Sequence, residues 1–259
     1  ISEKVAEQIV GAGYKDVKEQ AKAGTGKPVA VAADVHLQFS KAISKMQSSN
    51  VLGIIEGTDK KDEWLVISAH YDHLGKRDTT IYYGADDDGS GTTSVIEIAE
   101  AFAKAKAAGQ GPRRSILFTT VSGEEKGLWG SEWYSDHPVY PLEKTTADLN
   151  IDMVGRVDTE RKTGDTLNYV YVVGDDKISS DLKTISEAVN NKNLKMTLDY
   201  KFNDPNDPEQ IYYRSDHYNF ARKGVPIIFY YDGMLKADYH KPTDTPDKIY
   251  YTLMKKRAQ

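Results

Sequence analysis

The apolar positions change rhythm along the chain. Residues 2–10 carry apolar side chains at helical spacing, with Ser2 placed to cap a short helix and Gly11 to stop it. A polar stretch, residues 15–27, follows. Over residues 29–37 apolar and small or polar residues alternate, which predicts a half-buried strand. Residues 51–55 and 64–68 predict two further strands joined by a turn of Gly57, Thr58, Asp59 and Lys60. This opening part reads as an antiparallel edge.

The period then shifts. Val95, Ile98, Ala99, Phe102 and Ala103 share one face of a helix predicted over residues 91–106 and ended by Gly109. Residues 115–121 are apolar almost throughout, as in a strand covered on both faces. Helix 128–135, strands 148–153 and 169–173, helices 181–190 and 216–222, and strand 225–231 complete the pattern. Strands alternating with helices predict an α/β sandwich around a mostly parallel sheet.

Composition narrows the function. At 259 residues, with 39% hydrophobic and 28% charged residues, the chain can bury a large core and is no disordered segment. The net charge is −5, and the one basic cluster is Lys255-Lys256-Arg257, which argues against a nucleic-acid partner. No apolar run approaches the ~20 residues of a membrane span. Cysteine is absent, which removes disulfides, thiolate metal sites and cysteine nucleophiles together.

In an open α/β sheet the site lies beyond the carboxyl ends of the strands. There the sequence places His70-Tyr-Asp72, then Asp86-Asp87-Asp88 ahead of the long helix, Gly123-Glu124-Glu125, Asp152, and Asp238-Tyr239-His240. Singly, each reads as a loop histidine, a helix N-terminal charge cluster or a solvated turn. Jointly they place several carboxylates on one rim, where they repel unless cations neutralise them. Two histidines with carboxylates and no thiolate suit zinc, and a bridging carboxylate suits a pair of ions ~3.5–4 Å apart. Asp72, two residues beyond His70 on an extended chain, is placed to accept the second ring N–H of that histidine.

These motifs, running in order from about Asn50 to about Ile249, resemble the co-catalytic di-zinc aminopeptidase family, which also holds glutamate carboxypeptidase and the glutaminyl cyclases. Arg214-Ser-Asp-His217 and His240-Lys-Pro-Thr-Asp244 resemble its secreted bacterial members. The resemblance implies a three-layer sandwich of the zinc-exopeptidase type. It implies His70 and Asp152 on one zinc, Glu125 and His240 on the other, and Asp87 as the bridge. Glu124 matches the general base, Asp72 the residue orienting the first histidine, and Tyr239 a tyrosine that donates to the oxyanion. Asp88 departs from the asparagine frequent at its position, so Asp86, Asp87 and Asp88 are hard to tell apart by sequence.

Residues 1–49 read as an N-terminal helix and edge-strand segment, and residues 50–259 as the catalytic domain. Ser2-Glu-Lys-Val-Ala-Glu resembles the closing helix of a protease-associated domain, so the chain is expected to be a trimmed core of a longer protein. Secretion or a periplasmic location follows from the resemblance alone, since no signal peptide is present in these residues. The expected activity is hydrolysis of the N-terminal peptide bond of peptides through a metal-bridging hydroxide. A carboxypeptidase that holds a terminal carboxylate on Arg214, a glutaminyl cyclase, and a non-catalytic binding protein on the same fold are the alternatives. Oxygens of Asn203 to Glu209 offer a weak calcium possibility, with a plain surface loop as the simpler reading. Tyr212, Tyr213, Tyr230 and Tyr231 either line an apolar pocket or pack the core.

Overall fold

The computed structural model describes residues 1–259, which divide into two units, 1–46 and 47–259. In the first unit the Ser2 hydroxyl accepts the Val5 N–H at 3.4 Å and caps α1 (Glu3–Val10). Helix α2 (Tyr14–Lys22) occupies the polar stretch, and its Lys18 donates to Glu3 on α1. The strand expected over residues 29–37 does not form: the segment has no regular structure, and Val29, Val31, Val35 and Leu37 are exposed. Alternation supplies a face, but a strand also needs a ladder partner, and this unit contains no other strand.

The second unit is built on a seven-stranded sheet in the order β1-β5-β2-β6-β9-β7-β8. Its strands are β1 (Val51–Ile55), β2 (Lys60–His70), β5 (Arg114–Val121), β6 (Thr145–Ile151), β7 (Tyr169–Val173), β8 (Thr197–Asp199) and β9 (Ile227–Tyr231). A small hairpin of β3 (Gly75–Arg77) and β4 (Thr80–Tyr82) stands apart. β2 pairs in parallel with β5 and β6, β6 with β9, and β7 with β8; β1 and β7 run antiparallel to β5 and β9. The sheet is therefore mixed and mostly parallel.

β1 is an antiparallel edge, as its pattern predicts, but its neighbour is β5 and not β2. The 57–60 turn straddles the start of β5: Gly57 N–H donates to Ser115 Oγ at 3.0 Å, and Thr58 N–H to the Arg113 carbonyl at 3.0 Å. A Cβ on Gly57 would lie 2.4 Å from that carbonyl, so only glycine fits. Burial explains the order. Val66, Ile67, Ser68 and Ala69 are all buried, which requires a strand flanked on both sides and covered on both faces.

Alternate residues of the central strands feed two layers. Ile67, Ile116 and Phe118 pack with Val95, Ile98 and Phe102 of α3 (Gly89–Ala107) and Met254 of α7 (Tyr251–Ala258). Val66, Leu117 and Ile227 pack on the other face with Tyr134 of α4 (Trp129–Asp136) and Phe220 of α6 (His217–Arg222). Val170, Val172 and Ile228 pack with Leu182 of α5 (Leu182–Asn193) and with Met196. Helices thus cover both faces, and the aligned carboxyl ends of β2, β5, β6 and β9 are left to carry the site.

Candidate metal centre

His70 is the last residue of β2 and is fully buried opposite Val121. Its Nδ1 lies 2.9 Å from the backbone carbonyl of Asp72, which fixes the ring and turns Nε2 inward. The Asp72 carboxylate is 3.8 Å from Nδ1 and accepts instead the N–H groups of Glu124 and Glu125 at 3.2 and 3.4 Å. This corrects the expected contact: Asp72 reaches His70 through its carbonyl, because its side chain is taken up by the glutamate turn. That turn begins at Gly123, whose φ of 79° suits glycine.

The three aspartates before α3 separate by their partners. Asp86 accepts the Gly155 N–H at 2.8 Å and sits deep in the protein. Asp88 caps α3, accepting from Gly91 at 2.8 Å, and also takes the N–H groups of Met153 and His70 at 3.1 and 3.2 Å. An Asp88 oxygen comes near ligand-type atoms of His70 and Asp152, but three backbone N–H groups already bind this carboxylate. Asp87 is the one that faces the cleft. Its Oδ1 lies 3.2 Å from His70 Nε2 and its Oδ2 lies 3.2 Å from His240 Nε2. Asp244 holds this loop by accepting the N–H groups of Asp86 and Asp87 at 3.1 Å.

Asp152 follows β6, with Oδ1 3.7 Å from His70 Nε2. Glu125 Oε2 lies 3.0 Å from His240 Nε2. The structure therefore brings His70, Asp87, Asp152, Glu125 and His240 together, with Glu124 Oε2 3.9 Å from His70 Nε2. It adds a residue that the strand-end reading did not single out. His73 Nδ1 lies 2.8 Å from Glu125 Oε1, placing Glu125 between two imidazoles. The signal was present in His70-Tyr-Asp-His73, a second histidine within the same strand-end loop.

His70 Nε2, both ring nitrogens of His73, Asp87 Oδ2 and Glu125 Oε1 are buried without hydrogen-bond partners. Orphaned ligand-type atoms converging in a nitrogen–oxygen set without thiolate fit zinc. The electrostatics agree. Burial pushes the Glu124 carboxyl well above its usual range; His70 opposes this, while Asp152, Asp216 and Asp87 add to it. Burial lowers the His240 imidazole, but the Asp87 and Glu125 carboxylates beside it outweigh this and raise the group to about 9.

Beside these side chains, a cleft is walled by Met153, Ile211, Arg214, Phe229, Tyr231, Leu235 and Tyr239 and reaches Asp87, Glu124 and Asp152. The Tyr239 ring stacks on His240 with centroids 3.8 Å apart, and its hydroxyl accepts from Arg214 Nη2 at 3.3 Å. Of the other tyrosines, Tyr230 faces an apolar cavity on the far side of the sheet and Tyr213 is exposed. Asp204 and Asp207 accept N–H groups of their own turn, at Asn206, Glu209 and Ile211, so these oxygens serve the loop.

The sequence model of Peptidase family M28 matches residues 50–259. A probable leucine aminopeptidase of Arthroderma otae is 31% identical over 210 residues, covering 79% of this chain and 53% of that protein. A probable glutamate carboxypeptidase of Arthroderma benhamiae is 39% identical over 105 residues, 40% of this chain and 14% of that protein. The chain thus spans about half the length of the first relative and far less of the second. Among solved structures, the zinc aminopeptidase BSAP from Bacillus subtilis superposes with a TM-score of 0.60 at 24% identity, over 81% of this chain and 47% of that one. It shares the fold. With the match spanning residues 50–259, the chain belongs to peptidase family M28.

Proposed function

We propose that this chain carries the catalytic centre of a zinc-dependent aminopeptidase that holds two zinc ions. His70 and Asp152 would hold one ion, Glu125 and His240 the other, with Asp87 shared between them. The observation that carries this reading is the Asp87 carboxylate, which turns one oxygen to His70 and the other to His240 at equal 3.2 Å separations. Bound zinc supplies Lewis acidity that makes water nucleophilic at neutral pH and polarises a carbonyl.

The chain's own residues do the rest. Glu124, whose carboxylate reaches the cleft beside Asp87 and Asp152, accepts the proton of the attacking water and passes it to the leaving amine. Tyr239 receives a hydrogen bond from Arg214, which leaves its O–H free to donate to the developing oxyanion. The apolar wall of Met153, Phe229, Tyr231 and Leu235 suits an apolar side chain. Glu124, the cleft carboxylate not assigned to an ion, and the carboxylate oxygens the ions leave free suit a free N-terminal amine as hydrogen-bond acceptors. A terminal carboxylate is less favoured, since Arg214 is shared between Tyr239 and Glu209, whose Oε2 is 3.4 Å away.

The test combines metal analysis with a peptide panel on the zinc-loaded protein. Two zinc ions per chain, with cleavage of free-amine and C-terminally amidated peptides but not N-acetylated ones, is the expected result. Cleavage of acetylated but not amidated peptides would make it a carboxypeptidase. No turnover at full zinc occupancy would make it a binding protein.

A further inference from the structure

Beneath Asp152 runs a line of buried polar side chains that the reading above leaves unused. Ser215 Oγ lies 2.6 Å from Asp152 Oδ2, and Asn150 Nδ2 lies 2.8 Å from Ser215 Oγ. Ser68 Oγ lies 3.0 Å from Asn150 Oδ1 and 2.8 Å from Asp148 Oδ1. Ser68 and Asn150 are register partners across β2 and β6, and Asp148 is two residues back on β6, so all three share one face. Ser68, Asp148 and Asn150 are wholly buried and Ser215 nearly so.

Four such contacts need four protons. Asn150 donates its amide to Ser215. The Ser215 hydroxyl is then left to donate to Asp152. The Ser68 hydroxyl must donate to Asn150 Oδ1, which is a pure acceptor. No proton remains for the contact between Ser68 and Asp148 unless Asp148 supplies it. Turning the Asn150 amide over does not help: Ser215 would then face two acceptors, Asn150 and Asp152, with a single proton. A metal-ligating Asp152 is ionised and cannot supply another.

We propose that Asp148 is a neutral carboxylic acid heading a one-way hydrogen-bond chain through Ser68, Asn150 and Ser215, whose last link fixes the orientation of the Asp152 carboxylate. These four are positioning residues, and the proposal rests on Asp152 being a ligand. The setting of Asp148 agrees with it. Burial pushes its carboxyl up to about 8, the Ser68 bond pulling the other way and Asp216 adding to the rise. Tyr134 on α4 in turn feels the Asp148 carboxyl, which adds to the rise of its own phenol. Its Oδ2 is buried with no partner, tolerable for the carbonyl of a neutral acid and costly for an ion.

Zinc affinity of Asp148→Asn, Asp148→Leu, Ser215→Ala and Asp152→Asn, measured by chelator competition with circular dichroism as the folding control, tests the chain. Asp148→Asn keeps a neutral donor to Ser68, so its affinity is expected within about twofold of the wild type. Asp148→Leu and Ser215→Ala are expected to lose roughly 10–100-fold, the range for groups that orient a metal ligand. The infrared spectrum of protein with isotope-labelled aspartate should show, at pH 7, the carbonyl stretch of a buried protonated carboxyl that is missing from folded Asp148→Asn, which separates it from the other buried aspartates such as Asp86, Asp88 and Asp216. An Asp148→Asn loss as large as that of Ser215→Ala, or absence of the protonated band, overturns the proposal. Undiminished zinc affinity in Asp152→Asn would instead overturn the ligand reading on which it rests.

Discussion

The Asp72 carboxylate accepts the backbone N–H of Glu124 at 3.2 Å, so the strand end that carries His70 also holds the turn that carries the candidate base. One residue thereby couples two parts of the site, through its carbonyl to His70 and through its side chain to the turn. Asp72→Ala should lower kcat by about 10–100-fold, as for other groups that orient a metal site. Zinc content should fall less, because the carbonyl that fixes His70 remains. Asp72→Asn, whose amide oxygen still accepts one N–H, should recover part of the rate. Paired kinetics and metal analysis would check this, and loss of zinc with an unchanged rate per zinc would contradict it.

Asp244 performs the same service for Asp87. It is fully buried, and removing it leaves the Asp86 and Asp87 N–H groups without acceptors. Each hydrogen bond to a charged group contributes about 1.5–3 kcal/mol. Asp244→Ala should therefore destabilise the fold by a few kcal/mol in urea unfolding and weaken both ions together, since the shared ligand moves. Loss of one ion alone would not fit.

Much of this was legible from the chain, and what was not has identifiable causes. The strands at Val51–Ile55 and Tyr169–Val173 match their apolar runs to the residue, because each run ends at a polar or glycine breaker. The insertion of β5 between β1 and β2 was not legible: a short turn suggests a hairpin, and only the burial of β2 on both sides excludes one. The alternation over residues 29–37 described a face with no ladder to join. In the site, the strand ends point to His70, the Asp86-Asp87-Asp88 run, the Glu124-Glu125 pair, Asp152 and His240. The choice of Asp87 and Glu125 within them comes from the family resemblance, and His73 is passed over. Nor does spacing reveal that the Asp72 side chain turns away from His70, since that depends on a loop 52 residues further on.

Stability should report on the segment that leads into His240. Burial raises the Asp238 carboxyl, but bonds from Lys248 at 2.8 Å, Thr243 at 2.6 Å and Arg156 at 2.9 Å outweigh it and hold the group well below the usual range. A carboxyl with a depressed folded-state value stabilises fully above its unfolded value near 4 and loses that contribution as the pH falls further. Asp238→Asn should thus lower the Tm of the metal-free protein at pH 7. The gap from wild type should narrow as the pH falls from about 5 toward 2. A gap that does not change with pH would mean that Asp238 acts by packing alone.

The neighbouring glutamates should separate rate from metal content. Glu124 is held by its backbone N–H, and its side chain stands 3.9 Å from His70. Glu125 lies between His73 and His240, where the second ion is proposed. Glu124→Gln removes the group that takes the proton but leaves every proposed ligand in place. It should retain two zinc ions and lose at least ~10²-fold in turnover. Glu125→Gln replaces a carboxylate by a neutral amide, a poorer ligand, and should release one ion while also leaving His73 and His240 with a weaker partner. Asp87→Asn should be worse, because its charge offsets both ions and both imidazoles lie 3.2 Å from its oxygens. Metal content and rate should therefore part company at Glu124 and fall together at Glu125 and Asp87. Zinc lost from Glu124→Gln and kept in Glu125→Gln would exchange the two roles, and the turn beginning at Gly123 would then present its base and its ligand in the opposite order.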